Sequence, residues 1–146
     1  MERRDFLKTS CSLCVGLSAG LMMSGLSSCS SLPLYKTEVK HNTIRVPQSL
    51  FAENDVQIIR PDNFEYDIAL HKQRDGNYAA LLLRCTHAAN QLTLVGGMYR
   101  CNLHGSMFDE EGFVAKGPAE RPLTKFATEV SDNDVVIFLN ERDSER

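Results

Sequence analysis

Residues 84–106 read RCTHAANQLTLVGGMYRCNLHGS, and this stretch decides how the rest of the chain is read. Gln91-Val95 and Met98-Arg100 are two short runs on either side of Gly96-Gly97, a hairpin signal. The first run is preceded by Cys85-Thr86-His87 and the second is followed by Cys101-Asn102-Leu103-His104. The pattern is C-x-H, thirteen residues, then C-x-x-H. Each ligand-type segment begins a loop where a strand is expected to end. Two loops at one end of a sheet can therefore close on a common object.

Outward from that hairpin the chain keeps the same style. Upstream, Ala79-Ala80-Leu81-Leu82-Leu83 is apolar on both faces, which fits a central strand within Tyr78-Arg84. It follows the tight turn Arg74-Asp75-Gly76-Asn77. Phe64, Tyr66, Ile68 and Leu70 alternate with polar or small residues, as a half-buried strand does. Thr43-Val46 and Val56-Ile59 are further strand candidates. Downstream, Phe113-Ala115 follows the turn Asp109-Glu110-Glu111-Gly112, and Lys125-Val130 and Val135-Leu139 flank Ser131-Asp132-Asn133-Asp134. Turn residues recur roughly every 8–12 positions and no long helical period occurs. The expected class is all-β, a small antiparallel β-sandwich with a two-loop tip, spanning residues 42–146. With 146 residues there is room for one core. The net charge of -3 comes with no basic run, so no nucleic-acid partner is expected.

The N-terminus reads as an address. Arg3-Arg4-Asp5-Phe6-Leu7-Lys8 precedes an uncharged stretch from Thr9 to Leu26, the layout of an export signal, and resembles the twin-arginine type. Leu26-Ser27-Ser28-Cys29 resembles a lipoprotein box, which implies cleavage after residue 28 and lipid on Cys29. The alternative, an uncleaved anchor, has only the 16 residues from Cys11 to Leu26, rich in Ser and Gly, against the ~20 apolar residues a span requires. The expectation is an exported protein held at the outer face of a membrane by a lipid, with residues 29–41 as a polar tether. Cleavage leaves 13 bases against 17 acids and discards Cys11 and Cys14. Once Cys29 is acylated, only Cys85 and Cys101 remain as thiols.

Those two thiols and two of the four histidines make up the pattern around the hairpin; His41 and His71 have no such partners and read as surface residues. Here the chain resembles the Rieske proteins. The resemblance implies a [2Fe-2S] cluster with Cys85 and Cys101 on one iron and His87 and His104 on the other. Replacing two thiolates by imidazoles raises the potential of such centres to roughly -150 to +300 mV. It also implies that Gly105 lets the backbone pass close to the cluster. Ser106 corresponds to a serine whose hydroxyl reaches a cluster sulfur. Pro118, within Gly117-Pro118-Ala119 followed by Arg121-Pro122-Leu123, resembles the loop that covers the cluster.

Two departures separate this chain from the Rieske subunits of quinol-oxidising complexes. The places of their extra disulfide hold Asn90 and Leu103, and Phe108 stands where a tyrosine bonds a ligand cysteine. Hydrogen bonds to the sulfurs favour the reduced cluster, so a potential below that of the disulfide-bearing group is expected. Zinc sites group their ligands otherwise, as C-x-x-C with H-x-x-x-H, and covalent haem wants C-x-x-C-H. A Cys85–Cys101 disulfide would leave the histidines unexplained. The expected role is single-electron transfer with a redox partner protein or a quinol, as carrier or as subunit of a membrane oxidoreductase. A quinol-oxidising subunit of a cytochrome bc-like complex is the alternative, and a redox sensor is neither favoured nor excluded. A single-chain oxygenase would need two further histidines for a mononuclear iron, and residues 105–146 contain none.

Overall fold

The computed structural model describes residues 34–139. The export signal, Cys29 and the first part of the tether lie outside the described residues. Eleven strands are β1 (Leu34–Glu38), β2 (Thr43–Pro47), β3 (Val56–Asp62), β4 (Ile68–Lys72), β5 (Tyr78–Leu82), β6 (Leu92–Val95), β7 (Met98–Cys101), β8 (Met107–Phe108), β9 (Val114–Lys116), β10 (Lys125–Ser131) and β11 (Asp134–Phe138). A 3-10 turn, Gln48–Phe51, is the one helical element among the described residues. The strands form a seven-stranded sheet in the order β1-β3-β4-β5-β10-β11-β2 and a four-stranded sheet in the order β6-β7-β8-β9. Every named pair is antiparallel except β1 with β3.

The apolar run before Cys85 is the wall between two cores. Side chains alternate across a strand. Ile68, Leu70, Ala80 and Leu82 therefore join one cluster with Ile44, Val135 and Ile137. Ala69, Leu81 and Leu83 join the other with Leu92, Tyr99 and Phe108. Only a strand apolar on both faces can serve both clusters, and β5 sits fourth of seven in its sheet. The second cluster also contains Cys85 and Cys101, so the tip rests directly on packed hydrocarbon.

Two local expectations need correction. Leu34–Glu38, expected as tether, is an edge strand paired with β3 from Leu34↔Ile58 to Glu38↔Asp62. Phe64 and Tyr66, expected in the strand of Leu70, precede β4. Side chains occupy the backbone there: Asp67 N–H donates to Gln91 Oε1 at 3.0 Å, and Asp67 is paired with Arg60 at 2.7 Å.

The turn before β9 shows where glycine is obligatory. Gly112 has φ +85°, and a Cβ on it would stand 3.1 Å from Leu81 Cδ2 and 3.2 Å from Leu123 Cβ. Its carbonyl accepts from Leu123 N–H at 2.8 Å, which ties this turn to the segment over the tip. Gly112→Ala is expected to lower unfolding free energy by about 2–4 kcal/mol, from left-handed strain plus overpacking. Gly97→Ala, with φ +80° and open space around it, should lose only about 1–2 kcal/mol. Urea unfolding of the two variants tests the difference.

Candidate metal centre

The two tip loops are closed by one hydrogen-bond scheme used twice. In loop 1, Cys85 N–H donates to Asn90 O at 2.8 Å and Ala89 N–H donates to Cys85 O at 2.9 Å. In loop 2, Cys101 N–H donates to Ser106 O at 2.8 Å and Gly105 N–H donates to Cys101 O at 3.0 Å. The residue four places after each cysteine must turn left-handed, with φ +45° at Ala89 and +79° at Gly105. A Cβ on Gly105 would meet no protein atom within 4 Å. Among the protein atoms, then, φ rather than a close approach calls for glycine there.

Hairpin β6–β7 sets the two loops side by side, with Leu92 opposite Cys101. Both cysteines are free and buried, at 1% and 0% exposure, so the disulfide alternative is not realised. His87 and His104 are exposed, and their ring centroids are 5.0 Å apart at 77°. The four residues that the motif singles out thus form two pairs, thiols inside and imidazoles outside. Burial opposes ionisation of Cys101, but the backbone N–H groups of Leu103 and His104, the Cys85 thiol and the Asn90 amide outweigh it. Together they hold the thiol below its usual range. Thiolate is the form that binds metal.

The third segment, 117–124, is sewn to both loops. Ala119 N–H donates to the buried Ser106 Oγ at 3.0 Å, and Thr86 Oγ1 donates to Arg121 O at 2.7 Å. Pro118 itself is exposed. Ser106 Oγ, accepting from Ala119, keeps its own proton to donate. Phe108 is fully buried and has no hydroxyl to offer.

A family model for the Rieske [2Fe-2S] domain matches residues 44–127, more than half of the sequence. The chain belongs to the Rieske [2Fe-2S] domain family. The cyanobacterial plasma membrane Rieske protein PetC3 from Synechocystis PCC 6803 is 26% identical, with a TM-score of 0.54, over 64% of this chain and 97% of that one. The cytochrome b6-f complex iron-sulfur subunit of Nostoc punctiforme is 36% identical over 55 residues, 36% of this chain and 31% of the relative. The match thus spans about a third of that relative's length. A structure of a hyperthermophilic respiratory complex III shares the fold at 19% identity and a TM-score of 0.50, over 62% of this chain and 71% of that one.

The cofactor of a Rieske domain is a [2Fe-2S] cluster, and the donors here fit it better than they fit one ion. No three His, Cys, Asp or Glu side chains among the described residues converge on a single metal. A zinc site would bring its ligands to one point. Two pairs of donors, graded from buried thiol to exposed imidazole, suit two irons with different ligands.

Several residues that shape this site carry no motif. Thr86, Ala89 and Asn90 act through partners that only the folded chain supplies. Asn90 Nδ2 lies 3.9 Å from Cys101 Sγ, in a place the resemblance marks only by a missing cysteine. His71, expected on the surface, is partly buried in β4, hydrogen-bonded through Nε2 to the hydroxyl of Tyr99. The two rings meet edge to face at 5.9 Å. This contact bridges the two sheets two residues before Cys101.

Burial lowers the proton affinity of His71, with Glu110 pulling weakly the other way. The unfolded imidazole takes a proton near its ordinary pKa of about 6.5, and the folded one resists it. The contribution is whole above that pH and is lost as pH falls below it towards the folded value. Thermal unfolding should therefore drop by a few degrees more between pH 7.5 and 5 in the native protein than in His71→Gln. Equal slopes would show that His71 is already solvated.

Proposed function

We propose that Cys85 and Cys101 bind the inner iron and His87 and His104 the outer iron of a [2Fe-2S] cluster, and that the chain passes single electrons to and from a redox partner. The observation that carries this is the pairing of two free buried thiols with two exposed imidazoles on one twice-used loop scheme. The cluster supplies the reversible one-electron step. The protein supplies the rest. Buried thiols keep water from the inner sulfurs, exposed imidazoles put the outer side within reach of a partner, and Ser106 and Asn90 direct hydrogen-bond donors inwards. Segment 117–124 holds the loops together through Thr86 and Ser106.

Export by residues 1–28 and acylation of Cys29 would place this reaction at the outer face of a membrane. The motif order and the membrane protein among the relatives support that reading. Cys29→Ala should abolish radiolabelled palmitate incorporation and release the protein from the membrane fraction. Retention and labelling in the variant would count against the lipid anchor.

A second reading is a quinol-oxidising subunit of a cytochrome bc-like complex, favoured by the 36% identity to a cytochrome b6-f subunit. Asn90 and Leu103 weigh against it, because they replace the disulfide that braces the tip in that group. Reductive titration of the purified full chain tests the main reading: one electron per chain is expected, and none would refute it. Isolation of the chain from its native membrane with a stoichiometric b-type haem would favour the second.

A further inference from the structure

Beside His87 the surface opens into a groove of about 580 Å³, lined by Arg84, Thr86, His87, Arg121 and Pro122 among others. Both arginines have spare hydrogen-bonding capacity. Arg84 lies with its guanidinium carbon 5.5 Å from the ring centroid of Tyr66, and its buried Nε has no hydrogen-bond partner. Arg121 reaches only the Thr86 carbonyl, at 3.5 Å. Three ion pairs occur among the described residues, Lys40–Glu38, Arg45–Asp134 and Arg60–Asp67, and neither groove arginine takes part in one.

A buried cationic N–H without a partner is costly, and a guanidinium fork matches a carboxylate in shape and charge. The chain as a whole is acidic, with net charge -3. Two guanidinium groups outside any ion pair, next to an exposed imidazole, therefore form a local exception, which can orient an incoming partner. We propose that this groove is the docking site for carboxylate side chains on an acidic face of the redox partner, seating that partner against His87. The inference rests on the electron-transfer reading above, because it needs His87 to be the side from which electrons leave.

The test uses the full-length, cluster-loaded protein. Reduced protein gives one electron to hexacyanoferrate(III), forming hexacyanoferrate(II), or to tris(phenanthroline)cobalt(III). In R84Q/R121Q the rate with the anionic oxidant should fall about tenfold at low ionic strength and recover towards the native value in high salt. The rate with the cationic oxidant should not fall. R74Q, in the turn at the other end of β5, removes one positive charge away from the tip and should leave both rates unchanged. A second readout needs no electron flow: anisotropy of fluorescein-labelled hexaglutamate should report binding that weakens several-fold in R121Q alone. Arg121 is exposed, so that variant does not disturb the core, whereas R84Q removes a stacked side chain. Identical behaviour of R84Q/R121Q and R74Q would overturn the proposal. So would citrate displacing the peptide as well as unlabelled hexaglutamate does at equal carboxylate concentration, since a small-anion site would then suffice. A protein that takes up no electron would refute the electron-transfer reading instead, and the anisotropy would still report on the groove.

Discussion

Cys101→Ser, prepared anaerobically in parallel with the native protein, should come out colourless, with iron and acid-labile sulfide each below about a tenth of the native content. The reasoning starts from burial. Cys101 has no exposed surface, the Asn90 amide lies 3.9 Å from its sulfur, and with the backbone N–H groups of Leu103 and His104 and the Cys85 thiol it outweighs burial and favours the thiolate. Those donors stabilise an anion. A serine hydroxyl stays protonated at neutral pH and brings them no negative charge, so the pocket keeps its geometry and loses its thiolate ligand. Structural metal binding of this kind is coupled to folding, so the variant should also melt at a lower temperature than the loaded native protein. Circular dichroism separates loss of ligand from loss of fold. Asn90→Ala should retain the cluster, because an amide near sulfur adjusts it without holding it. Full iron and sulfide in Cys101→Ser would remove Cys101 from the ligand set.

Ser106→Ala carries the second large expectation, and it acts in two ways at once. Its hydroxyl oxygen accepts from Ala119 N–H at 3.0 Å in a fully buried position. Alanine leaves that N–H without a partner, at a cost of about 1–3 kcal/mol. The same hydroxyl proton is free to donate towards the cluster sulfurs, and such bonds strengthen when reduction adds negative charge. Losing about 1–2 kcal/mol of that preference lowers the potential by about 45–90 mV, at 59 mV per tenfold change for one electron. Phe108→Tyr should move it the other way, by adding a donor at the position where the resemblance places a tyrosine. Phe108 is fully buried, so part of the gain is offset by crowding. Potentials measured on the three proteins give the order Ser106→Ala, native, Phe108→Tyr. An unchanged potential in Ser106→Ala, together with a lowered stability, would assign Ser106 to the loop seam alone.

How much of this was legible follows from the range of each interaction. The apolar run at Leu81-Leu82-Leu83 announced a strand between two cores because alternation is a local property, and the turns at Gly76, Gly96-Gly97 and Gly112 announced themselves by composition. The cysteine and histidine spacing was equally local. By contrast, β1 is polar and short, and only pairing with β3, some twenty residues on, makes it a strand. The two-residue β8 is likewise defined by its neighbours. Tyr66 looked like strand, yet its hydroxyl donates to Ala89 O across 23 residues and helps seat loop 1. His71 looked like surface because nothing near it in sequence reveals Tyr99. Ala89 is hidden for another reason: only the repeated loop scheme shows that it occupies the same left-handed place as Gly105. One practical consequence is that a soluble fragment should keep Leu34–Glu38 rather than begin at Asn42.

Pulsed electron paramagnetic resonance of the dithionite-reduced full chain tests the central claim most directly, because it counts the nitrogens bound to the iron that receives the electron. Two imidazole nitrogen couplings are expected, with one lost in His104→Cys. A reduced spectrum without nitrogen coupling, or a protein containing one zinc and no sulfide, would contradict the ligand assignment.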